Sequence, residues 1–534
     1  MLDLSTKEKE RLLDMQRRQR EQPPRGKKLF MTVLVVLAII LIGLGTFKPP
    51  FLQDTQASTG ALSPLSPPEV PSGAGVPAAA NMGMPGAGTS ITTLQAPLTS
   101  PTMKQFTLVA QNSIVSLDQN TKIAAWTFNG MAPGPTLRVQ QGDLLVIHVV
   151  NHLSFSIAVH WHGIDVPNSQ DGVAGVTQDA IKPGQTYTYR FIAPDPGTYW
   201  YHSHQFAYEE TMGGLFGKLI VDPKTPTIHA DVDDSVALHE WNGPDGQSIF
   251  TMDSTTQTLT EAAKPGQWVR LRIIETSNTD TADPHLLTLV GAPFQVVSLD
   301  GHDLNAPGML NEVPLPIGTA QRYDLLFQMP AHGSVALVAA DEKNNKQYLR
   351  TPSMLFGQGT VPTHLPPVKQ WFDLTTYGQP ASTAITPQSH FDVTSKIVLN
   401  NQNGSSLGRM GMVYTINGKV FPDTGMIMVT EGQLVKIQID NQSDLYHPIH
   451  LHGHIFTVLA RNGNPLTGSP VLLDTVLVPP HTRYDIGFLA NNPGIWMLHC
   501  HNFLHANWGM DMMVVYNGYT TPYTVGTKSG NFPD

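Results

Sequence analysis

Apolar and polar residues alternate in short runs along most of this chain, and turn residues bound the runs. Leu145, Ile147 and Val149 occupy every second position of one such run. A second run has the same spacing around residues 435–439. A period of two residues is typical of half-buried β-strands, and helical periodicity is scarce. The pattern therefore predicts an all-β fold.

Two kinds of sequence block recur three times and predict repeated domains. The blocks QQGDLLVIHVVN, KPGQWVRLRIIE and TEGQLVKIQIDN cover residues 140–151, 264–275 and 430–441, and each is a turn glycine followed by one strand. Longer blocks recur at residues 182–204, 315–340 and 479–501. We interpret these repeats as three β-sandwich units of the Greek-key type.

An apolar run near the N-terminus predicts a membrane anchor. Residues 29–47 are uncharged and apolar over nineteen positions, long enough for a helix to span the hydrocarbon layer. Six basic residues lie between positions 17 and 28, which places the N-terminus in the cytoplasm by the positive-inside rule. We expect an uncleaved signal anchor; the alternative is a long cleaved signal peptide.

The segment after this run is rich in Pro, Gly, Ala and Ser and is expected to be a flexible tether. The full predicted organisation is a basic cytoplasmic tail (1–28), a transmembrane signal anchor (29–47), a linker (48–103) and three β-sandwich domains (104–225, 226–365 and 366–534). It corresponds to a single-pass protein of the cell membrane, with a monomeric head that is periplasmic or at the cell surface.

Composition and charge narrow the classes of partner. The chain has 534 residues, enough for about three domains, and a formal net charge of -10. Residues 1–28 hold nine of the 32 basic and five of the 42 acidic side chains, so the remainder has 23 basic against 37 acidic residues, a balance of -14. No basic patch is evident, so nucleic acid is not an expected partner. The single cysteine excludes an intrachain disulfide.

Candidate metal ligands stand in four H-x-H pairs, and one pair encloses the only cysteine. The pairs are His160 with His162, His202 with His204, His450 with His452, and His499 with His501. Both histidines of such a pair face the same side of a strand, and neutral imidazole is a common copper ligand. Eight imidazoles that converge would suit a three-metal cluster between the first and third units.

Cys500 carries a second ligand pattern. His505 follows it by five residues and Met510 by ten, and His447 is free to supply another imidazole. Thiolate, two imidazoles and a thioether are the ligands of a blue-copper electron-transfer site. His499 and His501 would then face away from the thiolate and serve the other cluster.

The repeats show that these histidines are not scattered surface residues, which a lone H-x-H pair usually is. Five residues after the turn glycine, the first unit has His-Ser-His, the middle unit Val-Ala-Ala and the third His-Cys-His. The middle unit has lost both kinds of ligand. His285 aligns with His447 but has no partners there, so we interpret it as a vestige. We expect His454 either to have a structural role or to bond to a metal ligand.

These four windows resemble the signatures of the multicopper oxidases, in particular three-domain bacterial laccase-like enzymes, over about residues 106–516. The resemblance implies cupredoxin-like domains and four copper ions. It implies a type 1 copper on Cys500, His447, His505 and Met510. It implies a type 2 copper on His160 and His450. It implies a type 3 pair on His162, His202, His204, His452, His499 and His501.

The resemblance also implies a reaction and its route. A reducing substrate would lose single electrons, through the exposed edge of His505 or His447, and electrons would pass from Cys500 to His499 and His501. Four electrons would reduce dioxygen to water. The catalytic candidates are Cys500, His505 and Asp171. Asp171 resembles the family's acidic residue near the type 2 copper; alternatively, it is only a turn aspartate before glycine. Many relatives have glutamate where this chain has Ala506, so the proton donor stays open.

Three other functions compete with a laccase-type oxidase of phenols and aromatic amines. One is a metallo-oxidase for Cu(I), Fe(II) or Mn(II), for which the loose methionine group at positions 410, 412, 426 and 428 is the relevant feature. A copper-free scaffold is opposed by the intact ligand set. Copper nitrite reductases are two-domain repeats without all four pairs. No motif in the sequence identifies the reducing substrate. By the family resemblance, a methionine axial ligand implies a moderate oxidant.

Overall fold

A computed structural model describes residues 65–69, 88–243, 246–278, 283–343, 346–361, 365, 370–406 and 409–534. They lie within one compact unit, Leu62–Asp534. The predicted tail, the anchor at 29–47 and most of the linker lie outside the described residues. Within the ranges given above, the structure has no helix long and apolar enough to cross a membrane.

The first unit is a pair of four-stranded sheets. Its strands are β2 (Met103–Ser116), β3 (Lys122–Phe128), β4 (Gly134–Gln140), β5 (Leu144–Asn151), β6 (Val159–His162), β7 (Thr186–Ile192), β8 (Gly197–Ser203) and β9 (Phe216–Asp222), after a short β1 (Thr89–Ser90). The sheet orders are β3-β2-β5-β7 and β4-β9-β8-β6.

The middle unit repeats this plan with more strands. They are β10 (Val232–Asn242), β11 (Ser248–Met252), β12 (Leu259–Glu261), β13 (Trp268–Glu275), β14 (His285–Val290), β15 (Phe294–Leu299), β16 (His302–Asp303), β17 (Leu315–Ile317), β18 (Arg322–Gln328), β19 (Ser334–Lys343) and β20 (Lys346–Gly357). The sheet orders are β11-β10-β13-β18-β15-β16 and β12-β20-β19-β14-β17.

The third unit again has two sheets. Its strands are β21 (Val393–Ser406), β22 (Arg409–Ile416), β23 (Met426–Val429), β24 (Leu434–Asn441), β25 (His447–Leu451), β26 (Phe456–Arg461), β27 (Asn464–Pro465), β28 (Leu472–Leu473), β29 (Thr475–Val478), β30 (Arg483–Leu489), β31 (Ile495–Cys500) and β32 (Asp511–Tyr516), and β33 (Tyr519–Thr520) follows them. The orders are β22-β21-β24-β30-β26-β27, with β28 on β26, and β23-β32-β31-β25-β29. β1 pairs with β33 in parallel, so the start of the described head is bound to its last strand.

Helices are short and few in the described ranges. The two α-helices are α1 (Ala207–Met212) and α2 (Phe503–Asn507), and the 3-10 helices are Ile91–Thr93 and Asn168–Gln170. The all-β prediction is therefore confirmed. The domain boundaries stay predictions.

The sequence repeats correspond to equivalent strands. β5, β13 and β24 each lie between a parallel neighbour and an antiparallel neighbour in the first sheet of their unit. β8, β19 and β31 carry the His-Ser-His, Val-Ala-Ala and His-Cys-His windows, in the second sheet of each unit. Because the windows lie on equivalent strands, the pairing of those strands decides which residues meet.

Candidate metal centres

Strand pairing puts the histidines of separate windows directly opposite each other. β6 pairs with β8 so that His160 faces His202, and β25 pairs with β31 so that His450 faces His499. In the middle unit the equivalent pairing sets Thr288 opposite Val338. The same backbone arrangement therefore gathers imidazoles in the outer units and apolar or hydroxyl groups in the middle one.

Eight histidines from the first and third units converge in the interior. The rings of His160 and His452 have centroids 3.9 Å apart, and those of His162 and His450 are 3.8 Å apart. We call this group the eight-histidine cluster: His160, His162, His202, His204, His450, His452, His499 and His501. All eight side chains are buried. Subsets of three have ring nitrogens within 4.8 Å of one another, close enough to share one ion.

Oxygen atoms hold the outward ring nitrogen of most of these histidines. Nδ1 donates to a backbone carbonyl in His160 (Asp171, 2.8 Å), His202 (Ser203, 2.9 Å), His204 (Pro533, 2.7 Å), His450 (Asp474, 2.9 Å) and His499 (Cys500, 3.1 Å). Carboxylates accept from His452 Nδ1 (Asp171, 3.0 Å) and from His162 Nε2 (Asp474, 3.0 Å). These bonds fix the tautomer, as they do in metal sites.

The inward nitrogens are left for a ligand. Among the described residues no hydrogen-bond partner exists for Nε2 of His160, His202, His204 and His450, Nδ1 of His162, or either ring nitrogen of His501. Nε2 of His452 and Nε2 of His499 face each other at 3.0 Å. Both rings carry their proton on Nδ1, so the lone pairs of the two Nε2 atoms face and repel each other. A cation between the two nitrogens would be bound by both lone pairs and would remove this repulsion. The cluster therefore fits metal ions.

Burial keeps these imidazoles in the form that binds metals. Burial first, and neighbouring imidazoles second, lower the pKa of each of six of them well below its ordinary value: His162, His202, His204, His452, His499 and His501. A neutral imidazole offers a lone pair that the protonated ring lacks.

His447, Cys500 and His505 form a second group, here called the Cys500 site. The Cys500 Sγ lies 3.6 Å from His447 Nδ1 and 3.5 Å from His505 Nδ1, and the two nitrogens are 3.2 Å apart. Ligands about 2.0–2.3 Å from one ion are about 3.3–3.8 Å from each other. Burial raises the pKa of the Cys500 thiol, so a thiolate there needs a cation. Burial also lowers the pKa of His447 to about 3. Thiolate and imidazole together fit copper.

The backbone after Cys500 is folded tightly around the site. Asn502 caps α2 by accepting the His505 N–H at 3.2 Å. Met510 is fully buried, and its backbone bonds to two other residues of this pattern. Its carbonyl accepts the Cys500 N–H at 3.0 Å, and its N–H donates to the His505 carbonyl at 3.1 Å. Asn278 of the middle unit accepts the Phe503 N–H at 2.7 Å.

The prediction that His505 or His447 has an exposed edge is wrong. Both side chains have no exposed surface. The ring of Tyr414 stacks on His505 with centroids 4.0 Å apart, and Ser443 Oγ lies 2.9 Å from His447 Nε2. A reducing substrate in solution would therefore contact covering residues and not the imidazoles themselves.

Asp171 lies against the eight-histidine cluster. Its Oδ1 is 3.2 Å from His160 Nδ1, in addition to the bond from His452 to Oδ2. It also has the features of a turn, since it follows the 3-10 helix at 168–170 and precedes Gly172, which has φ +80°. A Cβ on Gly172 would lie 1.7 Å from the Val159 carbonyl oxygen, so glycine is needed for this close approach. The turn thus presents the carboxylate to the histidines.

Ala506 is buried and lines a small cavity that also holds two carboxyl groups, from Asp511 and Asp534. Asp511 Oδ1 lies 4.0 Å from His499 Nδ1. Burial and then Asp534 raise the pKa of Asp511 well above its ordinary value, and burial raises that of Asp534 to about 7. Sequence reasoning missed both, because the β31–β32 register that sets Asp511 opposite His499 is a tertiary feature.

Asp474 is a further residue that sequence reasoning missed. It is fully buried and contacts His162 and His450. Burial would raise the pKa of its carboxyl, but Arg322 and His162 lower it well below its ordinary value. An isolated aspartate in a strand-rich stretch has no sequence signal of its own.

Two histidines outside these groups have other partners. His454 Nδ1 donates to the His452 carbonyl at 3.0 Å, and His454 Nε2 accepts from the Tyr516 hydroxyl at 2.6 Å. These bonds agree with the structural role expected. His285 has strong partners of a different kind from those of His447: Glu275 at 2.5 Å and Glu240 at 2.9 Å. The expectation that His285 has no partners is therefore wrong.

Most of this chain is similar in sequence to known proteins. Family models described as multicopper oxidase match residues 109–226 and 382–518. The chain is 31% identical over 443 residues to the multicopper oxidase MmcO of Mycobacterium tuberculosis, covering 74% of this chain and 83% of the relative. The chain belongs to the multicopper oxidase family. It is a three-domain, laccase-like member and an oxidoreductase that uses dioxygen.

Two further multicopper oxidases are also similar to this chain. Laccase-1 of Botryotinia fuckeliana is 28% identical over 477 residues, covering 79% of this chain and 83% of that laccase. The crystal structure of Fet3p, a multicopper oxidase that functions in iron import, superposes with a TM-score of 0.66 at 22% identity, covering 78% of this chain and 91% of Fet3p. That likeness shows the cupredoxin-like fold alone.

Proposed function

We propose that this chain is a membrane-anchored multicopper oxidase that oxidises phenols or aromatic amines one electron at a time and reduces dioxygen to water with four electrons. One observation carries the proposal: Cys500 belongs to the Cys500 site, while its two chain neighbours, His499 and His501, belong to the eight-histidine cluster. An electron-accepting site and an oxygen-reducing site are therefore joined by one residue.

In this proposal four copper ions are distributed over both groups. The type 1 ion takes His447, Cys500, His505 and Met510; the type 2 ion takes His160 and His450; the type 3 pair takes His162, His202, His204, His452, His499 and His501. Copper there would supply one-electron chemistry beside Cys500 and dioxygen reduction in the cluster. The unpartnered inward nitrogens of the histidines, and the spacings among the histidines and Cys500, support metal binding by both groups.

The protein's own residues carry out the other steps. Tyr414 is buried and stacks on His505, so its ring lies between that imidazole and the surroundings of the Cys500 site. The backbone from Cys500 to His499 and His501 is the shortest bonded route between the groups. Asp171 is the proposed acid beside His160 and His452, because water formation consumes protons.

The N-terminal part of the proposal rests on sequence. Residues 29–47 would anchor the chain, with residues after them outside the cytoplasm. Membrane extraction at high pH and protease accessibility in intact cells test this: an anchored head stays with the membrane and is cleaved from outside. Release of the head by alkaline extraction would contradict the anchor.

A metallo-oxidase for Cu(I), Fe(II) or Mn(II) is the second candidate, and one observation favours it. Met410 and Met412 are exposed on β22, and Tyr414 occupies the same face of that strand two residues on. Thioethers are soft ligands that suit Cu(I). Two exposed thioethers thus lead along one strand face to the ring that stacks on His505.

Oxygen consumption by the copper-loaded full-length chain tests the proposal. A phenol, an aromatic amine, Cu(I) and Fe(II) are offered separately, and the rates are compared as kcat/KM. We expect the highest kcat/KM with an organic substrate. A chain that consumes no oxygen with any donor would refute oxidase function, and a preference for a metal ion would favour the second candidate.

A further inference from the structure

We propose that Arg322, a residue of the middle unit, is a positioning residue for the eight-histidine cluster: it fixes the Asp474 carboxylate, which holds His162 so that Nδ1 and not Nε2 faces the cluster. The inference deepens the proposed function and rests on it. It gives the middle unit, where Thr288 and Val338 replace a pair of histidines, a part in building a site it does not line.

The guanidinium of Arg322 has no freedom to turn. Its five N–H groups meet five acceptors: Asp474 Oδ1 at 2.8 Å, Asp474 Oδ2 at 2.5 Å, and the carbonyls of Thr198, Asp300 and Ala320 at 2.9, 3.0 and 3.1 Å. The side chain is fully buried. Since arginine has five donors, every one is used, and the fork sets the plane of the carboxylate.

Asp474 passes this orientation to residues of both outer units. Its Oδ1 accepts from His162 Nε2 at 3.0 Å and from Thr475 Oγ1 at 2.8 Å. Its backbone carbonyl accepts from His450 Nδ1 at 2.9 Å. A change in the position of Asp474 would therefore disturb one histidine of the first unit and one of the third.

The carboxylate also decides the tautomer of His162. An ionised carboxylate only accepts hydrogen bonds, so the proton of His162 must lie on Nε2 and its lone pair on Nδ1. His160, His202 and His204 show the opposite arrangement, with Nε2 unpartnered. Asp474 thus holds His162 in the orientation opposite to that of the other three histidines.

Gly163 leaves the space for this contact. Its φ is +87°, and a Cβ there would lie 2.3 Å from Arg322 Nη2 and 2.6 Å from Asp474 Oδ2. The residue after His162 must therefore be glycine for the ion pair to approach the histidine. The glycine of the His-Trp-His-Gly window, which has no role as a ligand, is explained by the arginine of another unit.

The test uses the copper-loaded full-length chain with Arg322→Lys, Arg322→Met and Asp474→Asn. Arg270→Lys and Arg270→Met are the matched controls, because Arg270 is another buried arginine of the middle unit and pairs with Asp324 at 2.6 Å. Copper retained per chain is measured against a series of chelator concentrations. Electron paramagnetic resonance and the blue absorption distinguish the cluster from the Cys500 site.

Loss of a residue that orients a metal ligand typically weakens metal binding 10–100-fold. We expect a loss of that size for cluster copper in the three test variants, with an altered resonance signal and an unchanged blue absorption. The Arg270 variants should stay within about twofold of the unmodified chain.

Arg322→Lys and Asp474→Asn preserve size, so they decide the matter even if Arg322→Met does not fold. Copper retention and resonance spectra like those of the Arg270 controls would overturn the inference while leaving the proposed function intact. An unmodified chain that binds no copper would overturn the proposed function and this inference together.

Discussion

The Asp171 carboxylate lies 3.0 Å from Nδ1 of His452, so an acidic residue of the first unit orients a histidine of the third. Its backbone carbonyl also accepts the Nδ1–H of His160 at 2.8 Å. The turn at 171–172 therefore joins the two units at the eight-histidine cluster.

Asp171→Asn should slow dioxygen reduction about 10–100-fold, because the neutral amide orients His452 less strongly and carries no exchangeable acid proton. Stopped-flow mixing of the reduced protein with dioxygen measures this step. Anaerobic bleaching of the blue absorption by a phenol should stay unchanged. Asp143→Asn is a control, since Asp143 is buried in the same unit and bonds to Gln140 N–H. Reoxidation of the Asp171→Asn variant at the normal rate would mean that Asp171 acts only as a turn residue and not as an acid.

Cys500→Ser should abolish the blue absorption and turnover while the head stays folded. The hydroxyl does not supply the soft thiolate that the Cys500 site offers. Absorption spectra and circular dichroism of the copper-loaded variant check both parts. His454→Gln serves as control, because His454 is buried but bonds to Tyr516 and not to the site, and should stay blue. A blue serine variant would refute the type 1 assignment.

Met510→Leu should raise the reduction potential of the Cys500 site. An apolar axial residue donates no electron density to the ion, so the reduced state is favoured. The exchange conserves volume and should cost less than about 1.5 kcal/mol of stability. Redox titration of the blue absorption measures the potential. Met513→Leu is the control, since Met513 packs in a separate apolar cluster with Ile495 and Met497. An unchanged potential in Met510→Leu would remove Met510 from the ligand set.

Replacing both Met410 and Met412 by leucine distinguishes the two candidate substrates. The double variant should lower kcat/KM for Cu(I) about tenfold, equivalent to about 1.4 kcal/mol, and leave that for a phenol within about twofold. Met309→Leu is the control, because Met309 is an exposed methionine of the middle unit. Equal losses for both donors would mean that the thioethers shape the surface and do not bind the metal ion.

The network around His285 should make stability depend on pH. Glu275 and Glu240 hold both ring nitrogens, and Arg350 pairs with Glu240 at 2.9 Å. Although burial lowers the pKa of His285, Glu275 and Glu240 raise it from 6.5 to about 9. The folded state thus favours the protonated ring. This stability is complete below about pH 6.5 and is lost as the pH rises through about 9, a change of about 3 kcal/mol.

His285→Gln should therefore be less stable than the unmodified chain at pH 6 and should approach it above about pH 10. Urea unfolding of the metal-free protein at both pH values measures the difference. A constant difference across the range would mean that His285 contributes by packing and not by its charge.

Much of the fold was predictable because its signals are local and repeated. Strand alternation needs only neighbouring residues, and the blocks at 140–151, 264–275 and 430–441 form equivalent strands as expected. The H-x-H windows were recognisable for the same reason: a strand period of two residues puts both imidazoles on one face.

Residues whose role depends on strand register or on another unit could not be found this way. Asp511 stands opposite His499 only through the β31–β32 register, and Asp474 meets His162 across 312 positions of chain. The burial of His447 and His505 was also missed, because the residue that covers His505, Tyr414, comes from a distant strand.

The kind of chemistry follows from the amino-acid sequence alone. One cysteine, the histidine pairs around it and the threefold repeat restrict the ligands to copper-binding groups on equivalent strands. How those ligands are held depends on the tertiary structure, because the carboxylates that accept the hydrogen bonds of His162 and His452 lie far away in the chain. A carboxylate can fix a tautomer only when folding brings it within about 3 Å, and no local pattern encodes that distance.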